Sequence, residues 1–391
     1  MCLIHHIGGA FTHKPEELRT KLSHKASDLI KQAFEPLDPA RLIDHHVHVA
    51  GIGSGGTGAF VHSKMRSWAH PFHRLKYKVY MSAAGVNEEA NADKEFVNRL
   101  SSLVSSVSNH GKHRILAFDK NYNRDGTVNL EKTEFYVPNE YVFQIAKAHS
   151  ALFLPNISVN PYRPDAIQEL ERWAGEGARL IKWLPNAMGI NPSDAQCDPF
   201  YQKMKQLDLI LLSHGGEEKA VEAAEDQKLG NPLLLRRPLE NEVKVIVAHC
   251  AGLGQNEDLD SPSKPLTDNF DLFMRLMDDK KYEGLLFGEI SAMTQFNRSG
   301  KPLQTILARE DLYERLVNGS DYPLPAVNVL IRTRTLAKTG YITSDERDSL
   351  NEIYDYNPLL FDLVLKRSLK LPGTTKKFPA SIFMENVALG V

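Results

Sequence analysis

Residues 209–249 open on LILLSH (209–214) and close on KVIVAH (244–249), two apolar runs of strand length that each end in a histidine. A strand with one wet face alternates polar and apolar residues, so continuous apolar runs belong to a parallel sheet covered on both faces. The signature recurs on either side. Upstream lie RLIKWL (179–184), LFLPNISV (152–159), RILAF (114–118) and RLIDHHVHV (41–49), and downstream EGLLFGEI (283–290) and RLVNGSD (315–321). Segments of helical period separate most of them: NEYVFQIAKAHS (139–150), DAIQELERWAGEG (165–177), DPFYQKMKQL (198–207) and NFDLFMRLMDDKK (269–281). Strand and helix alternate, and eight strands fit an α/β fold of the (β/α)8 TIM-barrel type.

Three parts fall outside the repeat. Residues 14–35 are amphipathic and predict one helix across the lower end of the barrel. A long insertion after the first strand, 51–113, opens on GIGSGGTG (51–58) and holds a helix near 88–108; it is either an active-site lid or a loose loop. Helices are expected around 326–337, 344–352 and 357–367. The expected organisation is one domain over 1–391: an N-terminal helical extension (1–40), the barrel core with its insertion (41–325) and C-terminal helices (326–391).

Composition narrows the function classes. Lysine and arginine number 47 against 49 acidic residues, a net charge of −2, so no basic excess exists to bind a nucleic acid or an anionic membrane. With 42 % hydrophobic and 25 % charged residues the chain is of ordinary globular type. Cys2, Cys197 and Cys250 are too few and scattered for a disulfide scaffold, which suits a reducing cytoplasm. No leader-like or membrane-spanning apolar stretch occurs, so the expected partner is a small-molecule substrate, with self-association into a homo-oligomer also open.

The chemistry-bearing residues sit at the C-terminal ends of the strands, the face where such barrels act. His46 and His48, two apart on a strand, point to one side and can share a cation; His45 points away and is packed or hydrogen-bonded. His214 and His249 close the next histidine-ended strands, and Asp321 ends the last in NGSDYP. A carboxylate there can ligate a metal and exchange a proton, although in isolation it would cap a turn.

With these residues in place, the chain resembles the amidohydrolase superfamily, and within it the amidohydrolase-2 branch of metal-dependent hydrolases, lactonases and non-oxidative decarboxylases. The resemblance is carried by the DxHxH of Asp44, His46 and His48, by His214 and His249, and by the GSDYP of 319–323. It implies that His46, His48, His214 and Asp321 are metal-associated, and that His249 either holds a second metal or polarises the substrate. Lys182, ending the fourth strand, stands where binuclear members carry a bridging carbamate; the alternative is a lysine that binds a substrate carboxylate or a neighbouring acid. One or two divalent ions, zinc above others for imidazole-rich ligation, would then activate water, with Asp321 and His249 as the catalytic pair.

Softer candidates remain. Glu289 would orient a ligand histidine or pair with a base. Arg298, Arg163 and the Arg236-Arg237 pair would grip a substrate carboxylate or lie solvated. His5, His6 and Cys2 would bind a metal or belong to a frayed end, and His62, His70 and His73 would cover the site or lie on the surface. No nucleotide-binding glycine fingerprint follows a strand, and no serine elbow occurs. The expected activity is hydrolysis of an amide, ester or lactone; the alternatives are a mononuclear metal-dependent decarboxylase of a small carboxylic acid and, of another class, a metal-binding barrel without catalysis.

Overall fold

The computed structural model describes residues 3–9, 13–221 and 223–391; Cys2, one of the terminal metal candidates, lies outside them. The eight apolar runs form eight strands: β1 Ile43–His48, β2 Lys112–Leu116, β3 Phe153–Asn156, β4 Leu180–Trp183, β5 Ile210–His214, β6 Val245–Ala248, β7 Leu286–Glu289 and β8 Leu316–Val317. They lie in two parallel sheets, β1-β2-β3 and β4-β5-β6-β7-β8. Backbone hydrogen bonds run between the sheets at both seams. Lys182 N–H donates to Ile157 O at 2.7 Å beyond β3, and beyond β8 the N–H of Asp321 donates to His46 O at 2.7 Å.

Why the runs are apolar is visible in their two faces. One face packs on amphipathic helices, whose buried residues recur at helical spacing, as with Ala166, Leu170 and Trp173 on Ala166–Gly175. On the other face Leu116, Leu180, Ile210, Leu212, Ile246, Ala248, Phe287 and Val317 pack against one another. Each leucine, isoleucine, valine or phenylalanine among them contributes about 1.5–3 kcal/mol by leaving water. Alternation then carries three of the strands from that apolar floor to a polar end: Leu180 to Lys182, Leu212 to His214, Phe287 to Glu289.

The segments outside the repeat differ from expectation in detail. Residues 14–35 do not form one helix: the chain turns extended at Leu22, and Ser23 restarts it by accepting from Ala26 N–H at 3.2 Å, a serine N-cap. The resulting helix His24–Phe34 packs on Ser344–Tyr356 and Pro358–Ser368. The apolar floor is instead met by Leu389, 1 % exposed, from the C-terminal tail. Of 326–337 only Thr333–Lys338 is α-helical. The insertion is ordered, with helices Pro71–Ala83, which the sequence reading missed, and Ala92–Ser105. No helix among the described residues is long and apolar enough to cross a membrane.

Candidate active site

The strand ends open into a cavity of about 380 Å³, a volume suited to a small molecule. Its floor holds His46, His48, Lys182, His214, His249 and Asp321, and much of its apolar wall comes from the insertion, including Ile52, Met65, Tyr80 and Phe96. The insertion is therefore a wall of the site.

Local backbone geometry aims the side chains. The β1–β2 register shifts between Asp44 and Val47, and such a bulge re-aims a strand. His46 and His48 end on one side, with their Nε2 atoms 3.1 Å apart. His45 is fully buried with neither ring nitrogen hydrogen-bonded, so it is packed. On β6 the inward residues are Ile246 and Ala248, and alternation alone would turn His249 away; a left-handed φ of 57° brings it into the cavity. Asp321 also has a left-handed φ, 58°. Gly319 permits the tight approach of β8 to β1 and β7, since a Cβ there would stand 2.5 Å from Glu289 Oε1 and 2.6 Å from His46 Cβ.

Hydrogen bonds decide which nitrogens carry lone pairs. Ser291 donates to both oxygens of Glu289, from its N–H at 2.5 Å and its hydroxyl at 2.6 Å. Glu289 in turn accepts from His46 Nδ1–H at 3.1 Å, and the Ser291 hydroxyl accepts from His249 Nδ1–H at 2.7 Å. Both imidazoles are thereby left with Nε2 as an electron pair facing the cavity floor. His214 Nδ1 lies 3.5 Å from Glu218 Oε2, and its Nε2 has no partner. Asp321 Oδ1 lies 3.2 Å from His48 Nε2 and 3.4 Å from His46 Nε2, and its Oδ2 3.7 Å from His249 Nε2.

Burial sets the protonation states. It holds His46 and His249 well below the ordinary imidazole value and His214 at about 3, so all three are neutral. Burial also lowers Lys182 to about 8 against the upward pull of Asp321, and raises Glu289 to about 7. Neutral imidazoles converging on a carboxylate, one with an orphaned nitrogen, form an electron-rich pocket that fits a divalent cation. Ligand atoms of His46, His48 and Asp321 lie within 4.8 Å of one another, as do those of His46, His249 and Glu289. Lys182 Nζ reaches the same floor, 3.1 Å from His46 Nε2.

The softer candidates separate. Arg298 lines the cavity, whereas Arg163, Arg236 and Arg237 are bound to Asp119 and Asp165, to Asp260, and to Asp198. His62, His70 and His73 do not line it. Sequence reasoning missed Ser291 and Glu218; their only signal is position, two residues after Glu289 and four after His214.

A family model described as Amidohydrolase matches residues 122–329, just over half of the chain, spanning Lys182, His214, His249, Glu289 and Asp321 but not β1. No curated protein matches. Solved structures similar to the chain include an uncharacterized TIM-barrel protein from Bordetella bronchiseptica, 14 % identical with a TM-score of 0.48 over 80 % of this chain and 94 % of that one. A 4-oxalomesaconate hydratase from Rhodopseudomonas palustris is 14 % identical, TM-score 0.42, over 79 % and 88 % of the two chains. An N-isopropylammelide isopropylaminohydrolase from Burkholderia multivorans is 14 % identical, TM-score 0.38, over 76 % and 70 %.

Proposed function

The chain belongs to the amidohydrolase family, and from that premise we propose that it is a metal-dependent hydrolase of a small-molecule amide, ester or lactone. The observation that carries this reading is the convergence of the imidazoles of His46, His48, His214 and His249 with the Asp321 carboxylate on the floor of one cavity. His46, His48, His214 and Asp321 would hold the cation, zinc by the preference of imidazole-rich sites. When bound, it supplies Lewis-acid polarisation of a carbonyl and lowers the pKa of water toward neutrality.

The protein's own groups do the rest. Asp321 takes the proton from the attacking water and returns it to the leaving oxygen or nitrogen as the acyl bond breaks. Glu289 and Ser291 keep the Nε2 atoms of His46 and His249 free of protons, which supports His249 holding a cation over polarising the substrate. Lys182, drawn down to about 8, has a neutral fraction near that pH, the form that would take up CO₂ as a carbamate and bridge two ions. The closed (β/α)8 barrel belongs to the same proposal, supported by the bridges Ile157 to Ile181 and Val47 to Tyr322 at the two seams between the sheets.

The test is elemental analysis of protein purified without chelators, with a panel of esters, lactones, amides and carboxylic acids. One or two ions per chain, with hydrolysis lost on chelation and restored by zinc, is the expected result. Protein that turns over equally well without metal, or that holds metal and hydrolyses nothing on the panel, overturns it; CO₂ release from an acid without uptake of water replaces it by the decarboxylase.

A further inference from the structure

We propose that the cavity is built for an amphipathic acid, a molecule with an apolar body and one carboxylate, and that Arg298 holds that carboxylate while the floor acts on a neighbouring carbonyl. This names the substrate class of the hydrolytic site above and rests on that reading.

The argument starts from an imbalance of charge. Arg298 is 7 % exposed, lines the cavity and makes a single side-chain hydrogen bond, from Nη1 to the neutral Gln295 Oε1 at 3.1 Å. Its Nε is buried with no partner, and no carboxylate of the described residues lies within the 4.0 Å of an ion pair. Asp321, Glu218, Glu289 and Glu217 act on it only through space, and burial outweighs their pull; a guanidinium desolvated without a contacting acid leaves room for a ligand's carboxylate.

The other arginines singled out in the sequence show what is missing. Arg236 clasps Asp260 through two bonds at 2.5 and 2.7 Å, Arg237 clasps Asp198 at 2.7 and 2.5 Å, and Arg163 clasps Asp165 at 2.9 and 2.8 Å. In the last two pairs Nε and Nη2 form the fork, and these are the two nitrogens that make no hydrogen bond in Arg298. That planar edge matches a carboxylate bidentately.

The surroundings limit the ligand further. The wall is dominated by apolar side chains such as Met65, Phe96, Phe118, Phe135, Leu184 and Leu330. Its other charged members are already matched, Glu134 by Lys76 at 3.2 Å, Lys219 by Glu217 at 3.3 Å and Glu218 by the N–H groups of Ala220 and Val221. The wall therefore offers one anionic position against an apolar surface, which suits a single carboxylate and disfavours a polyanion or a sugar.

The experiment compares matched ligands on the metal-loaded protein. By calorimetry, 4-phenylbutyrate is expected to bind at least about tenfold more tightly than 4-phenylbutyramide, the scale of hydrogen bonds to a charged group. Arg298→Gln should abolish that preference with metal content unchanged, and Arg298→Lys should restore part of it. Equal binding of acid and amide overturns the proposal, as does a preference that survives in Arg298→Gln, which would assign the carboxylate to the metal. Should the variants fail to fold, the same pair on the chelator-treated Lys182→Met variant decides: a preference held by Arg298 persists without the metal and without the Lys182 ammonium. A charge preference without hydrolysis of any ester, lactone or amide leaves this proposal standing and removes the hydrolytic one; hydrolysis with phenyl pentanoate and phenyl hydrogen glutarate used equally well does the reverse.

Discussion

Asp93 and Asp321 are both buried, yet their carboxylates are met in opposite ways. Asp93 lies under the glycine-rich stretch 51–58, where the N–H groups of Ile52 (2.7 Å) and Gly53 (3.1 Å) and the hydroxyls of Ser54 (3.1 Å) and Thr57 all donate to it. Gly51 allows this approach, since a Cβ there would stand 2.6 Å from Asp93 Oδ2. A loop that looks like an anion cradle thus already encloses an anion, a side chain of its own chain. The Asp321 carboxylate accepts no hydrogen bond from the described residues; it faces the Nε2 atoms of His48, His46 and His249 at 3.2, 3.4 and 3.7 Å. A saturated polar cluster holds structure together, and an unsaturated one is waiting for a ligand.

Neutralising each aspartate tests that contrast most strongly. Asp321→Asn should keep the fold and most of the metal while kcat falls by about a thousandfold; steady-state kinetics beside elemental analysis checks it, and near-normal turnover would remove Asp321 from proton transfer. Asp93→Ala should do the opposite, stranding four half-buried donors at a cost of about 3 kcal/mol in total. The readout is a lower denaturant midpoint with metal content intact, and an unchanged midpoint would deny the loop its anchoring role.

A smaller effect separates ligand from scaffold at His214. Free metal at a hundred times Kd should stabilise the wild type by about 2.7 kcal/mol over its chelated form. For His214→Gln that difference should shrink by more than half, and an equal difference in the two proteins would show that His214 does not hold the ion. Comparing loaded with stripped forms of each protein cancels any change in packing.

A last effect lies outside the site. Burial holds His113 at about 3, below its ordinary value of 6.5. Between those values the unfolded chain binds more protons than the folded one, so this contribution to stability is complete above 6.5 and is lost as the pH falls toward 3. His113→Leu should flatten the fall in urea midpoint between about pH 4 and pH 6 by roughly one proton, about 1.4 kcal/mol per pH unit. A slope equal to wild type would mean that His113 titrates as an exposed histidine.

Much of this molecule was legible along the chain because each strand is buried on two faces, which leaves continuous apolar runs such as KVIVA and LILLS. Lys182, His214 and Glu289 were legible for the same reason: alternation from a buried inward residue two positions earlier places each at a strand end. His249 broke that rule, since its inward turn depends on a left-handed backbone that no local pattern announces. The helix Pro71–Ala83 escaped notice because histidine, arginine and lysine interrupt its apolar positions; only Tyr77, Val79 and Ala83 are buried.

The four candidate arginines divide the two kinds of information most clearly. Hydrophobic period, strand ends and the spacing of Asp44, His46 and His48 are local properties, and from them follow the alternation of strand and helix and the face on which the chemistry-bearing residues collect. Whether a polar group is satisfied depends on partners far along the chain: Asp119 for Arg163, Asp198 for Arg237, and for Arg298 no acid at ion-pair distance among the described residues. That is visible in the folded chain alone, because desolvation and pairing are settled by which side chains the packing brings together.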